Sequence, residues 1–269
     1  MRARGALGLA AGLWLAAFAR DGVDQWIDAT VLPPLAPATS QEVLDRNATL
    51  LRAYTVEDGR WRLGVEGGQV DPFFVSLLLD YEDKRFYQHG GVDPQALLRA
   101  LGQAVWNGQV VSGGSTLTMQ VARLLEGSGT GRVAGKLRQI RLALALERHM
   151  TKDQILQLYL LLAPYGGNVE GIRAASLAYF GKEPRRLTPA EAALLVALPQ
   201  SPETRRPDRS DLAKAARNRV LERARSDGLI DADQAQAAAR EAVPTRRAAF
   251  PALAPHLSDR VLAEEPQTN

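Results

Sequence analysis

From Asp71 onward, apolar residues recur every three to four positions and the runs are bounded by helix-capping residues, a rhythm that constrains the chain to a mainly α fold. Asp71 can cap a helix whose first turn suits Pro72, which puts Phe74, Leu78, Glu82 and Phe86 on or near one face. Pro94 to Val105 carries Leu97, Leu98, Leu101 and Val105 at helical spacing, and a further helix can start at Ser115 and reach Leu125. Lys136 to Met150 is a long periodic run. Thr151 with Gln154, and Thr188 with Glu191, form capping-box patterns that open two more helices. Asp211 to Ser226 ends at Gly228, a good C-cap residue, and Asp231 opens a last helix. Ahead of this region, Leu50 to Val65 reads as a β-hairpin around Glu57-Asp58-Gly59, because Asp-Gly is a favoured hairpin turn. The expectation is one domain, residues 46–250, mainly α with a small N-terminal hairpin.

The ends of the chain read differently. Met1-Arg2-Ala3-Arg4 precedes the mostly apolar run Gly5 to Ala19, and Arg20 closes it. Basic residues before a short apolar segment describe a secretory signal or a signal anchor, although a full span needs roughly twenty apolar residues. Ala17-Phe18-Ala19 could be a cleavage site. A retained anchor instead places Trp14 and Phe18 near one membrane interface, with the body exported. We read residues 1–28 as the signal anchor or transmembrane segment, 29–45 (with Pro33, Pro34 and Pro37) as a linker, and 251–269 as a tail. Lys and Arg number 33 against 30 Asp and Glu, an excess too small to argue for nucleic acid. There is no cysteine, which excludes disulfides and Cys-based metal sites.

Three segments carry chemistry. Glu82-Asp83-Lys84-Arg85-Phe86-Tyr87-Gln88-His89 ends a strongly apolar helical run just before Gly90 and Gly91. A carboxylate in an apolar stripe must be paired or put to work, since desolvation disfavours its charged form; the alternative is a helix end fraying into solvent. In Gly113-Gly114-Ser115-Thr116, glycines before a helix start leave backbone N–H groups free, where the helix dipole favours an anion. Ser115 and Thr116 add hydroxyls, and Gln120 and Arg123, one and two turns on, could reach the same anion. A plain capped loop fits the same residues. In the third segment, Gly135 to Arg148, the positions Lys136, Gln139 or Ile140, Ala143 and Glu147 share a helical face. Its cations could meet phosphates or keep a helix solvated.

Together these segments resemble the glycosyltransferase domain of class A penicillin-binding proteins and monofunctional peptidoglycan polymerases, glycosyltransferase family 51. The first family motif is matched at Glu82, Asp83, Phe86, His89 and Gly91, and the second at Gly113 to Gln120. The fourth is matched at Lys152, Ile155, Leu156, Tyr159 and Leu160, with Leu161 where Asn is usual, and a later one at Arg217 to Leu221. The third motif commonly carries a Glu where this chain has Gln139, and Gln cannot take a proton. That residue, with Ala163 to Asn168 and Pro251 to His256, looks most like the 1C subgroup.

The resemblance implies a lysozyme-like helical fold that polymerises lipid II into glycan strands with release of undecaprenyl diphosphate. It implies Glu82 as general base, with Gln139 in the place of a second catalytic acid. Asp83, Lys84, Phe86, His89, Ser115, Thr116, Gln120, Arg123 and Lys136 are the substrate-binding candidates. Glu147 is kept as a structural ion-pair candidate with Arg148 or a neighbour. A divalent cation, Mg2+ or Mn2+, can assist in such a site, but no sequence feature demands a metal. The resemblance also places Pro94 to Val111 at a membrane-dipping jaw; a core helix fits the same residues. The implied partners are lipid II, the nascent strand, the membrane and other cell-wall synthesis proteins. The implied location is the bacterial cytoplasmic membrane, with the domain on its periplasmic side. No Ser is followed three positions later by Lys, so the transpeptidase signature is not expected in this sequence. A lysozyme-like glycan-cleaving enzyme and a catalytically weak lipid II-binding scaffold are the competing readings.

Overall fold

A computed structural model describes residues 2–107, 114–127, 133–208 and 211–264. Its helices are α1 (Arg2–Asp28), α2 (Pro72–Glu82), α3 (Pro94–Asn107), α4 (Leu117–Glu126), α5 (Val133–His149) and α6 (Lys152–Leu162). They continue with α7 (Ile172–Phe180), α8 (Pro189–Ala197), α9 (Leu212–Ser226), α10 (Ala232–Arg240) and α11 (Pro255–Glu264). The mainly α expectation holds. So do the caps behind it: Asp71 accepts the Phe73 amide at 2.9 Å, and Thr151, Thr188 and Asp231 each close a full capping box.

The core is organised around α8. Ala190 and Ala192 through Ala197 are buried, so this helix is apolar nearly all round and is enclosed by α2, α7, α9 and α10. The second carboxylate oxygen of Asp71 accepts the Leu187 amide at 2.8 Å, which ties the start of α2 to the turn that leads into α8. Arg217, expected in a family motif, is buried in α9 and donates to the carbonyls of Glu241 and Ala239 at 2.6 and 2.8 Å, closing the end of α10 against α9.

The hairpin lies upstream of its expected position. β1 (Glu42–Leu44) pairs antiparallel with β2 (Leu50–Ala53), Glu42 facing Ala53. Its turn is set by Asp45, whose Oδ1 accepts the amides of Asn47 and Thr49 at 2.7 and 2.8 Å, offering the chain a local alternative to a longer ladder. The Asp58-Gly59 turn does form, with Val56 donating to the Arg60 carbonyl at 2.9 Å, but it does not join two paired arms. Instead β3 (Trp61–Arg62) pairs in parallel with β4 (Val169–Glu170), where the buried Glu170 carboxylate accepts Arg62 Nε at 2.8 Å. A buried carboxylate needs a cationic partner, and that requirement draws β3 away from β2.

Both ends of the chain touch the body. The last turns of α1 rest on α5: Arg148 pairs with Asp24 and Asp28, Arg141 lies 5.1 Å over the Trp26 ring, and Ile27 is buried. Leu13, Trp14, Leu15 and Phe18, further back on α1, are exposed. Among the described residues, no helix is long and apolar enough to cross a membrane. The tail folds in part as α11, whose Asp259 accepts from Tyr54 Oη at 2.7 Å and Arg52 Nη1 at 2.9 Å.

Candidate active site

Helix α2 stops at Glu82 because Asp83 turns out of the helical region, with φ at −160°. Phe86 therefore lies in a 3₁₀ turn, Phe86–Gln88, rather than on α2 as its spacing suggested, yet it is still buried. The Asp83 carboxylate points into the protein. One oxygen accepts the Leu117 amide at 2.9 Å, at the exposed-donor end of α4, and both lie 3.0 Å from His89 Nε2. A carboxylate only accepts, so Nε2 carries the proton in this pair. Thr116 caps α4 through its Oγ1, which accepts the Met119 amide at 3.1 Å and donates to the Gly91 carbonyl at 2.5 Å. Gly91 has φ +91°, and a Cβ there would stand 2.7 Å from the Ala143 carbonyl of α5. Asp83, His89, Thr116 and Gly91 thus fix the segment 83–91 that follows α2 against the start of α4 and against α5.

Glu82, one residue earlier, is only partly buried. Its Oε2 accepts Gln120 Nε2 at 2.9 Å and its Oε1 accepts Gln200 Nε2 at 2.9 Å. Gln120, expected on an anionic leaving group, therefore stands on the carboxylate instead. Nothing in the sequence singles out Gln200. It sits in the 3₁₀ turn Leu198–Gln200 that follows α8, where the sequence signals only a helix end.

The start of α4 also carries the cationic edge. Lys136 Nζ on α5 donates to Ser115 Oγ. Burial, and after it the positive charge of Arg123, hold the Lys136 ammonium below the usual lysine range. Among the described residues neither Lys136 nor Arg123 forms an ion pair with a carboxylate. Two neighbouring cations raise the local positive potential, which favours an anion there. Gln139, one turn on from Lys136, is buried at 4 % exposure. Glu147, at the far end of that face, accepts from Thr118 Oγ1 at 2.7 Å and Lys152 Nζ at 2.6 Å, so its ion-pair partner is Lys152 and not Arg148.

The remaining expected residues are spread around this centre. Lys84 bridges Asp80 at 3.1 Å and Asp227 at 2.7 Å, fastening the site's rim to the end of α9. Phe86 lies beneath the Lys152 ammonium, 4.5 Å from its centroid. Arg85 pairs with Asp93, which caps α3 by accepting the Ala96 amide at 3.0 Å. Gly113 falls outside the described residues. A cleft of about 480 Å³ runs between the end of α2, α3 and the start of α4, and Glu82, Ser115, Thr116 and Arg99 line it. A cavity of about 620 Å³ beside Glu42 and Arg173 contains none of Glu82, Ser115 or Lys136. Among the described residues, no cluster of three or more His, Cys, Asp or Glu side chains is arranged to hold a metal ion.

The family model described as Transglycosylase matches residues 48–225, about two thirds of the chain. The chain belongs to the transglycosylase family. It is 44% identical over 223 residues to penicillin-binding protein 1C of Escherichia coli, covering 82% of this chain and 29% of that protein. It is 38% identical over 206 residues to penicillin-binding protein 1A of the same organism, covering 76% of this chain and 24% of the relative. A crystal structure of penicillin-binding protein 1A from Haemophilus influenzae aligns over 87% of this chain and 24% of that one, with 19% identity and a TM-score of 0.44. The chain thus spans less than a third of the length of these curated relatives. The matched transglycosylase span runs from β2 into α9 and so contains Glu82, Ser115, Gln120, Arg123, Lys136 and Gln200.

Proposed function

We propose that this transglycosylase domain polymerises lipid II into glycan strands by inverting transfer, with undecaprenyl diphosphate as the leaving group. The observation that carries the reading is the position of α4, which joins the two halves of the site. Ser115, just before its first turn, holds Lys136, while Gln120, further along it, holds Glu82.

In the proposed step, Glu82 takes the proton from the 4-hydroxyl of the acceptor GlcNAc as that oxygen attacks C1 of the donor MurNAc. The bond from C1 to the diphosphate oxygen breaks and the configuration at C1 inverts. Negative charge grows on the departing diphosphate, and Lys136, Arg123, the Ser115 hydroxyl and the N-terminus of α4 are the groups poised to receive it. Asp83, His89 and Thr116 serve this step by holding the segment 83–91, and Lys84 and Phe86 by holding the site's rim. Gln139 is buried and cannot exchange a proton, so Glu82 carries the proton transfer alone.

The exposed face of α1 around Trp14 and Phe18 supports a membrane anchor, with the domain on the periplasmic side. Exposed Leu98 and Trp106 on α3, beside the cleft, support contact with the same lipid surface that delivers the donor. Gln139 supports a second reading, a lipid II-binding scaffold of cell-wall synthesis with weak catalysis. A glycan-cleaving enzyme has no use for the Lys136–Arg123 pair. Purified full chain incubated with lipid II in detergent separates these: glycan polymer is expected. Lipid II bound without polymer establishes the scaffold, and cleavage of preformed glycan establishes the hydrolase.

A further inference from the structure

We propose that Gln200 is a positioning residue for Glu82, and that Arg205 sets which end of the Gln200 amide meets the carboxylate. The proposal rests on the reading of Glu82 as the base.

An amide side chain has one donating and one accepting end, and turned over it would set oxygen against oxygen at Glu82. The structure fixes the choice. Arg205 Nη1 donates to Gln200 Oε1 at 2.9 Å, and a guanidinium has donors only. With Oε1 claimed, the Gln200 NH2 group is left facing Glu82, where it donates to Oε1 at 2.9 Å. Arg205 is itself held, because the same Nη1 donates at 2.8 Å to the carbonyl of Ala197, the last residue of α8, whose end leaves carbonyls without intrahelical partners. The chain Ala197–Arg205–Gln200–Glu82 therefore transmits the fixed position of a buried helix to a partly exposed carboxylate.

Gln120 reaches the other oxygen from α4. Each Glu82 oxygen thus meets one amide donor, from two separately anchored elements, and the carboxylate is held in one plane while lone pairs remain for an incoming proton. The other charged or titratable groups around it are Asp83 next in the chain, Asp80, Tyr81, Lys84, Arg85, Asp93, Arg99 and Arg223 lining the same cleft, and, from α4 and α6, Arg123 and the buried Tyr159 hydroxyl, whose own proton is held more tightly by burial and by the charge of Glu82. None of these is altered by a change at Gln200 or Arg205.

The test uses the full chain with lipid II in detergent, recording kcat, KM and the pH dependence of kcat. Gln200→Leu, which keeps the bulk and removes the donor, is expected to lower kcat about 10- to 100-fold, the worth of one hydrogen bond to a charged group, with KM little changed. Its acidic limb should move to higher pH, since the ionised base has lost a donor. Gln200→Glu, which sets a second carboxylate against Glu82, should lose activity at neutral pH and regain it as pH rises. Arg205→Met should behave like Gln200→Leu, and Arg205→Lys, which still donates to Oε1, should restore most of the rate. An unchanged kcat and acidic limb in Gln200→Leu, or a loss equal at every pH, overturns the proposal. Glu82→Gln, assayed in parallel, separates the two claims. If it polymerises like wild type, the base reading fails; if it is inactive while Gln200→Leu is unaffected, only the role of Gln200 fails.

Discussion

Replacing Asp83 by alanine removes a carboxylate whose side chain is 4 % exposed and which holds both the first amide of α4 and His89. Each of these hydrogen bonds involves an ionised acceptor, worth about 1.5–3 kcal/mol, so the pair contributes about 3–5 kcal/mol once some relaxation is allowed. The Leu117 amide cannot recover its bond to water, because Leu117 is fully buried. For a domain of this size, where Tm moves by some 2–4 °C per kcal/mol, melting should fall by about 6–20 °C. Calorimetry or thermal circular dichroism measures it, alongside polymerisation well below the new midpoint. Asp83→Asn should recover only part of the loss, since its one carbonyl can accept from the amide or from His89 but its NH2 must face the other donor. If Asp83→Ala melts like wild type and loses only activity, Asp83 acts on substrate and the internal role argued here is wrong.

Two further predictions rest on charge. Lys136 is held below the usual lysine range by burial and then by Arg123, and it must be protonated to receive a diphosphate. Activity should therefore fall as pH rises through that lowered value, and Arg123→Gln, which removes the second cause, should move the basic limb of kcat/KM upward; a limb that stays or moves down contradicts the assignment. Burial raises the Glu42 carboxyl above 4.5 more than its Arg173 partner lowers it. A raised folded value means stability that is full below the unfolded pKa and lost as pH rises through the folded one. Glu42→Gln should accordingly raise Tm at pH 7 and leave it nearly unchanged at pH 4, and a larger loss at pH 7 than at pH 4 refutes that sign.

The sequence exposed the helices because their signals are local. Asp71-Pro72, Thr151 with Gln154 and Thr188 with Glu191 each fix a helix start within four residues, and all three stand where they were expected. Motif resemblance groups Glu82, Ser115 and Lys136, and in the structure Lys136 meets Ser115, which shares a cleft with Glu82. What stayed hidden depends on partners far along the chain. Asp83 looks like an ordinary motif acid until the start of α4, 34 residues on, presents its amide. Gln200 reaches Glu82 across 118 residues from the end of an apolar helix, and no spacing rule connects a glutamine there to a carboxylate. The hairpin was misplaced for a similar reason. Asp58-Gly59 is a sound turn, but Arg62 is claimed by Glu170, 108 residues away.

The central claim is that Glu82, clamped by Gln120 and Gln200 and without an acidic partner at Gln139, is the base of a lipid II polymerase. The most direct measurement is polymer formation from lipid II by the full chain and by Glu82→Gln, with binding of lipid II measured on both. Wild type should form polymer, and Glu82→Gln should bind lipid II with similar affinity while its rate falls by at least about 100-fold, the usual contribution of a general base. Undiminished polymer from Glu82→Gln contradicts the account.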